Sequence, residues 1–401
     1  MQVKMRVISF CHYLQGPACS QYLADLGADV VKIEPLKGAF ERHWSGGKSY
    51  VQGTSSFSLA VNRNKRSLAI DLKSEEGRSI VRELIRDADV VVENYRPGTL
   101  AKLGLGYEAV REINSEIIYA SASGLGPSGP DADRPGQDLL MQARSGLIAA
   151  TADGRVVGAA IVDQHGGALL AMAILGAFVR KLQTGKGAHL ESNLFSAGID
   201  LQSEALTMYY NAPDRADRME RGDNIGSWYH DAPYGLYELK DCRIVLSMND
   251  PVKLADALED SELSAMSGID RYAERERYAE RVAAVLAEKR FDDLTDRFEM
   301  FGIWYQRVQD YEELLVDPQA NHNGAFATVE VAGREAIIVA HPVRYDGVVP
   351  AVRRMPLEAG ADSAEILTEL GIPLERQAQL TRMGVVCMGR GNCNARVVLE
   401  Q

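Results

Sequence analysis

The stretch Val156–Val179 reads V-V-G-A-A-I-V-D-Q-H-G-G-A-L-L-A-M-A-I-L-G-A-F-V, and its reading decides the fold. The apolar, β-branched run predicts a strand ending at Asp163, followed by Gly166 and Gly167 and then a long apolar helix. A carboxylate between a strand and a helix stands at the carboxyl end of a sheet, the edge where ligands bind in open α/β sheets. Two glycines without Cβ atoms let a ligand or a second backbone approach closely. Asp at such a junction also commonly caps its helix by accepting from a free backbone N–H. The two roles are compatible, because those N–H groups and the helix dipole keep a carboxylate ionised and can steady charge developing beside it.

Outward from this stretch the chain alternates between strands and helices. Val3–Phe10 is β-rich, Pro17 starts a helix through Leu26, and Asp29–Glu34 (D-V-V-K-I-E) is a second apolar strand. This β-α-β opening lacks G-x-G-x-x-G, so a dinucleotide cofactor is not inferred. Asn62–Ser67 (N-R-N-K-R-S) reads as a solvated turn before the strand Leu68–Lys73. Ser74 is placed to cap a helix with Ile80, Val81, Leu84 and Ile85 on its buried face. Strands follow at Asp89–Glu93, Ile117–Ser121 and His189–Asn193, with helices over Leu139–Ser145 and Ala197–Tyr210. Such alternation predicts a doubly wound, mostly parallel α/β sheet. The polar Asn211–Asp231 segment marks a boundary, and a helix-richer α+β region with a hairpin around Lys240–Asp241 follows it to Asp317. The expected division is a large domain of residues 1–210 plus 325–401 and a small one of 225–317, with linkers 211–224 and 318–324.

The 401 residues carry a net charge of −12, with 46% hydrophobic and 25% charged residues. An acidic chain is a poor match for nucleic acid, which needs a dominant basic surface. Residues 168–179 form the longest apolar run, about half a membrane span, so no membrane partner is expected. The opening M-Q-V-K-M-R-V-I-S-F reads as a strand and not a signal peptide, which makes the cytoplasm the default compartment. Five scattered cysteines (Cys11, Cys19, Cys242, Cys387, Cys393) read as reduced thiols, and seven histidines show no metal-ligand spacing.

Six blocks then occur in a telling order: H-Y-L-Q-G-P-A-C from His12, L-A-D-L-G-A-D-V-V-K-I-E-P from Leu23, N-R-N-K-R-S-L-A-I-D-L-K from Asn62, A-D-V-V-V-E-N-Y-R-P-G from Ala88, P-G-Q-D-L-L-M-Q-A-R-S-G from Pro135 and G-A-A-I-V-D-Q-H-G-G from Gly158. Together they resemble the family III (CaiB/BaiF-like) CoA-transferases, which include formyl-CoA:oxalate and carnitine CoA-transferases. The resemblance is dense over residues 6–195 and weaker beyond. It implies a Rossmann-like large domain built from both chain ends, a small domain from the middle, and an interlocked homodimer. It implies that Asp163 is the catalytic aspartate, with CoA and its acyl thioesters as substrates and no tightly bound cofactor or metal. By the same resemblance the adenine and phosphates lie along Ile70, Asp71, Leu72 and Lys73, along Asn94, Tyr95 and Arg96, and at Lys102, with Tyr13, Leu14 and Arg134 nearby. Asp138 matches an acidic position beside the catalytic aspartate in some members, and helix capping explains it equally well.

Moving CoA between carboxylic acids needs only a carboxylate able to form covalent acyl species. Fixed N–H donors for each tetrahedral intermediate are expected at the helix start and at Gly166 and Gly167. Two departures matter. Residues 215–260 hold no glycine-rich run of the kind that covers the aspartate in formyl-CoA:oxalate enzymes. In the related α-methylacyl-CoA racemases a His serving as base precedes the position of Asp138. Here that residue is Gln137, which cannot exchange protons near neutrality. His12, His165 and His230 are the substitutes an acyl-CoA racemase or epimerase would call on. A non-catalytic CoA-binding homologue is the third reading. Arg42, His43 and Trp44 either contribute to an acid pocket or pack a loop.

Overall fold

The computed structural model describes residues 3–151, 153–213 and 219–389. The chain divides into two compact units, one of Met1–Met141, Ala159–Leu201 and Pro318–Gln401, the other of Gln142–Gly158 and Gln202–Asp317.

The first unit is built on a seven-stranded sheet. Its strands in chain order are β1 (Arg6–Phe10), β2 (Asp29–Glu34), β3 (Lys65–Ile70), β4 (Val90–Glu93), β5 (Ile118–Ser123), β6 (Ala188–Asn193) and β7 (Val386–Cys387). The spatial order is β7-β3-β2-β1-β4-β5-β6, with every pairing parallel except that of β7 with β3. Side chains alternate between the two faces with the strand period of two. Ile8, Phe10, Val31, Ile33, Leu68 and Ile70 meet Ile80, Val81, Leu84 and Ile85 of α2 (Glu75–Arg86). Val7, Val30, Val90, Val92, Ile118 and Ala120 meet Leu23 and Ala24 of α1 (Gln15–Asp25) and Leu170, Ile174 and Phe178 of α4 (Ile161–Thr184). Each such side chain contributes roughly 1.5–3 kcal/mol on full burial. Helices therefore cover both faces, and the strand order reverses between β1 and β4. Ser74 caps α2 as expected, its Oγ accepting from Gly77 N at 3.0 Å.

Five expectations need correction. No strand precedes Asp163. Residues 155–158 are irregular, α4 starts at Ile161, and Asp163 sits within its first turn. Among the described residues β6 is the edge strand on that side of the sheet, and no strand from residues 155–163 pairs with it. Asp163 still stands at the carboxyl edge, since α4 runs back across the sheet into β6. The run Asn62–Arg66 is not a solvated turn, as all five residues are at most 8% exposed. Arg63 chelates Asp25, Arg66 pairs with Asp29 and Glu369, and Asn64 donates to Asp25. The helix expected over Ala197–Tyr210 breaks into Leu194–Asp200 and Ser203–Asn211. Residues 142–158 and 202–210 cluster with the second unit, because Gln202 donates to Ser145 O and Arg221 to Ala150 O. Finally, Cys11, Cys19 and Cys242 are free thiols whereas Cys387 is disulfide-bonded; Cys393 lies outside the described residues.

With 24 residues, α4 is long and apolar enough to cross a membrane by length and composition alone. In this fold Val162, Gly166, Gly167, Leu170, Ala171, Ile174, Ala177 and Phe178 are buried, the pattern of a core helix. The second unit carries a three-stranded antiparallel sheet of Gly235–Glu238, Arg243–Leu246 and Tyr305–Arg307. Its own core includes Tyr237, Ile244, Leu254, Tyr278, Val282, Leu286 and Phe298.

Candidate active site

Asp163 is the third residue of α4, half-buried at the N-terminal end of the helix. Its helix is capped from another element. Asp138, the first residue of α3 (Asp138–Arg144), accepts from Val162 N at 2.7 Å and Asp163 N at 3.0 Å through one oxygen. Ala160 occupies the local cap position with no side chain to offer. Burial, and secondarily the Asp138 carboxylate, push the Asp163 carboxyl up from 3.8 to about 7. Near neutral pH the group is therefore divided between carboxylic acid and carboxylate.

What places Asp138 is a pinch in the preceding loop. A Cβ on Gly124 would stand 2.4 Å from Gly136 Cα, and one on Gly136 would stand 2.2 Å from Gly124 Cα. Only two facing glycines permit that approach. It closes the connection between β5 and α3 and delivers Gln137 and Asp138 to the start of α4.

Gly166 and Gly167 serve a second backbone. A Cβ on Gly167 would meet Gln15 O at 2.8 Å and Ala18 Cβ at 3.0 Å, and one on Gly166 would meet Gln15 Nε2 at 2.9 Å. These glycines let α1 and α4 pack in contact. Their N–H groups lie inside the helical ladder, so the expectation that they bind an oxyanion is corrected. The helix start is equally engaged: Ile161 N donates to Ala159 O and Gln164 N to Ala160 O, beside the two bonds to Asp138.

The strand-order reversal between β1 and β4 lies at the same edge of the sheet. Asn94 bridges it, accepting from His12 N at 2.9 Å and donating to His12 O at 2.8 Å. Its carboxamide thus holds the two strand ends together. Tyr95 is half-buried, packs its ring 4.9 Å from His12, and has its hydroxyl pushed up to about 12 by burial. Tyr13 has a left-handed backbone (φ 60°), with its N–H on Glu41 and its ring 4.7 Å from Phe40. The Leu14 side chain is packed with Ala18 and Val61.

Ile70, Asp71, Leu72 and Lys73 form the turn after β3. Ile70 is buried in the core, Leu72 packs against it, and Asp71 accepts from Lys73 N at 2.9 Å. Lys73, Arg96 and Lys102 are exposed, and no ion pair joins their side chains among the described residues. Arg134, by contrast, is paired with Asp131 at 2.9 Å. Arg42 is held in a bidentate pair with Glu34 (2.7 Å for each nitrogen), so it packs a loop and offers no charge to an acid. His43 bonds Lys37 O, and Trp44 stacks on Phe40 at 5.7 Å. His165 pairs with Asp200 at 2.8 Å, and His230 bonds Ser227 at 2.5 Å in the second unit.

The family model for CoA-transferase family III matches residues 4–363. The chain belongs to the family III CoA-transferases. It is 32% identical to succinyl-CoA:glutarate CoA-transferase of Homo sapiens over 379 residues, covering 91% of this chain and 85% of that protein. It is 37% identical to acetyl-CoA:oxalate CoA-transferase of Acetobacter aceti over 246 residues, which cover 60% of this chain and 61% of that one. A crystal structure of a CaiB/BaiF family protein from Brucella suis superposes with a TM-score of 0.78 at 27% identity, over 91% of this chain and 98% of the other. The enzyme is thus a mixed α/β transferase that acts on CoA thioesters.

In this CoA-transferase the sheet edge also carries groups that sequence reasoning missed. Lys32 Nζ, fully buried, donates to Cys11 O and to Glu41 (2.5 Å), and Lys65 Nζ, also buried, donates to Pro17 O and Val61 O. Two strand lysines therefore tie down both ends of the β1–α1 turn. A charged residue inside the apolar run D-V-V-K-I-E was the available signal. A cavity of about 170 Å³ opens at the carboxyl ends of β4, β5 and β6, lined by Glu93, Tyr95, Tyr107, Tyr119, Ser121 and His189 among others. Glu93 accepts from Tyr95 N and Ser121, and burial raises its carboxyl to about 7. Tyr119 belongs to the core on the α2 side and Ile118 to that on the α4 side, so the cavity lies across the sheet from Asp163.

Proposed function

We propose that this transferase moves CoA from an acyl-CoA donor to a carboxylic acid through covalent species on Asp163. An Asp163 oxygen attacks the thioester carbonyl, forming a C–O bond, and collapse expels the CoA thiolate with the electron pair of the C–S bond, leaving a mixed anhydride. The thiolate then attacks the aspartyl carbonyl and releases the donor acid as carboxylate, leaving an enzyme–CoA thioester. An acceptor carboxylate runs the two steps in reverse, so no net proton or electron is needed. The observation that carries this reading is a half-buried carboxylate at the sheet edge, poised near neutrality and fixed by a cross-helix cap. Partial burial also keeps water from the activated intermediates.

Named relatives act with succinyl-CoA and glutarate or with acetyl-CoA and oxalate, which favours a small dicarboxylate as acceptor here. The unpaired cations Lys73, Arg96 and Lys102 support a CoA phosphate site along the same edge. The ends of β3 and β4 stand about 14 Å apart, three strand spacings, a span suited to an extended nucleotide. A racemase acting through the same aspartate would need a second base across the substrate α-carbon. Gln137 cannot serve, and His165, two residues on, faces another side of the helix. An interlocked homodimer fits the exposed apolar stripe Met172, Val179 and Leu182 on α4 (64%, 54% and 72% exposed).

The decisive experiment is peptide mass spectrometry after succinyl-CoA or acetyl-CoA plus hydroxylamine. The expected result is a hydroxamate at Asp163. An unmodified Asp163, with solvent deuterium entering the α-carbon of a branched acyl-CoA, would establish the racemase instead. Light scattering at twice the chain mass tests the dimer.

A further inference from the structure

We propose that Gln15 supplies the N–H group that receives the oxyanion when a thioester is attacked at Asp163. The inference rests on the reading of Asp163 as nucleophile and adds a residue to it. Every early N–H of α4 is engaged: Ile161 with Ala159, Val162 and Asp163 with Asp138, and Gln164 with Ala160. The negative charge that forms on the attacked carbonyl oxygen needs another donor.

Gln15 is only 3% exposed, yet its Nε2 has no hydrogen-bond partner among the described residues. A buried donor left unmade is rare and calls for a partner absent from the resting state. The amide lies where a side chain of residue 166 would begin, with Nε2 at 2.9 Å and Cδ at 3.5 Å from that Cβ position. Gly166 is three residues past Asp163, so both share one helix face, their Cβ positions about 5–6 Å apart. No hydrogen bond joins Gln15 to Asp163 in the resting enzyme, so the donor is free for a carbonyl brought between them. Its position is fixed in advance, because Gln15 O packs against Gly167 and the aliphatic stem is enclosed. Gly166 has a second purpose on this view: any larger residue would displace the amide.

In the step concerned, an Asp163 oxygen forms its bond to the acyl carbon as the C=O electron pair moves to oxygen. Gln15 Nε2 donates a hydrogen bond to that oxygen without transferring a proton. The pair returns as the C–S bond breaks and the thiolate departs. A fixed donor of this kind is worth about 10²–10³ in rate.

The test follows Asp163 hydroxamate formation in single turnovers of the full-length enzyme, with the faster of succinyl-CoA and acetyl-CoA as donor. Q15A should slow it by about 10²–10³-fold, with KM for the donor changed by less than about threefold. Q15E keeps the side-chain size and loses the NH2 donor, so it should be as slow. The added carboxylate should also move the acid limb of the rate upward in pH. If the wild type forms hydroxamate and Q15A or Q15E forms it equally fast, the assignment of Gln15 is overturned while the nucleophile stands. If Q15E restores what Q15A loses, Gln15 only fills space and the proposal is again overturned. If the wild type forms no hydroxamate with either donor, the nucleophile reading itself falls and this inference falls with it.

Discussion

Replacing Asp163 with Asn should abolish CoA transfer and, at neutral pH, stabilise the fold. The carboxyl titrates at about 7 in the folded chain against 3.8 as its ordinary value. A folded pKa above the unfolded one means the native state binds the proton more tightly. The protonated form is therefore accommodated without penalty below pH 3.8, and stability is lost as pH rises toward 7. At about 1.4 kcal/mol for each pH unit, the difference amounts to about 4 kcal/mol above pH 7. The carboxylate gains roughly 0.5 kcal/mol from the helix N-terminus. Asn forfeits that gain, leaving an expected stabilisation of about 3–4 kcal/mol at pH 8. For a chain of 401 residues that corresponds to a Tm increase of about 4–5 °C. Thermal scans of wild type and D163N at pH 5, 6, 7 and 8, at one scan rate, measure it. The difference should be about 1–2 kcal/mol at pH 5, widen through pH 7 and then level off. A constant difference across the series, or a less stable variant at pH 8, refutes the claim that Asp163 is held against its charge.

The neighbouring groups carry further expectations. Asp138→Asn keeps an oxygen for Val162 N and Asp163 N but removes a charge, so the acid limb of the kcat profile should move down in pH; an unmoved limb would show that burial alone sets it. Lys32→Met leaves Glu41 buried without its cation, and chemical denaturation should report a loss of about 3–5 kcal/mol; a neutral result would mean Glu41 is solvated. Arg96→Ala and Lys102→Ala should each raise KM for acyl-CoA about 5–10-fold with kcat unchanged, and the effect should shrink in high salt; a fall in kcat with KM unchanged would remove them from the phosphate site.

The sheet was legible because its strands are short apolar runs, buried on both faces, and the helix between two of them carries a 3.6-spaced buried face, both local properties. Asp163 was legible as a carboxylate at a helix start. The supposed strand before it was not, since a short apolar run has no periodicity to separate strand from loop. The run Asn62–Arg66 was misread for a different reason. Whether five polar residues are solvated depends on Asp25, Asp29 and Glu369, the last about 300 positions away. Asp138 looked like a cap for its own helix, and only the pinch at Gly124 and Gly136 reveals that it caps another. Gln15 gave no signal at all, because an unmet hydrogen bond exists only once the surrounding groups are in place.

The touching glycines have a practical corollary. Because the chain re-enters the same point it left, the eleven residues from 125 to 135 can be lengthened, shortened or exchanged without moving Gln137 or Asp138. The length and composition of that segment are thereby uncoupled from the position of the Asp138 carboxylate that caps the catalytic helix.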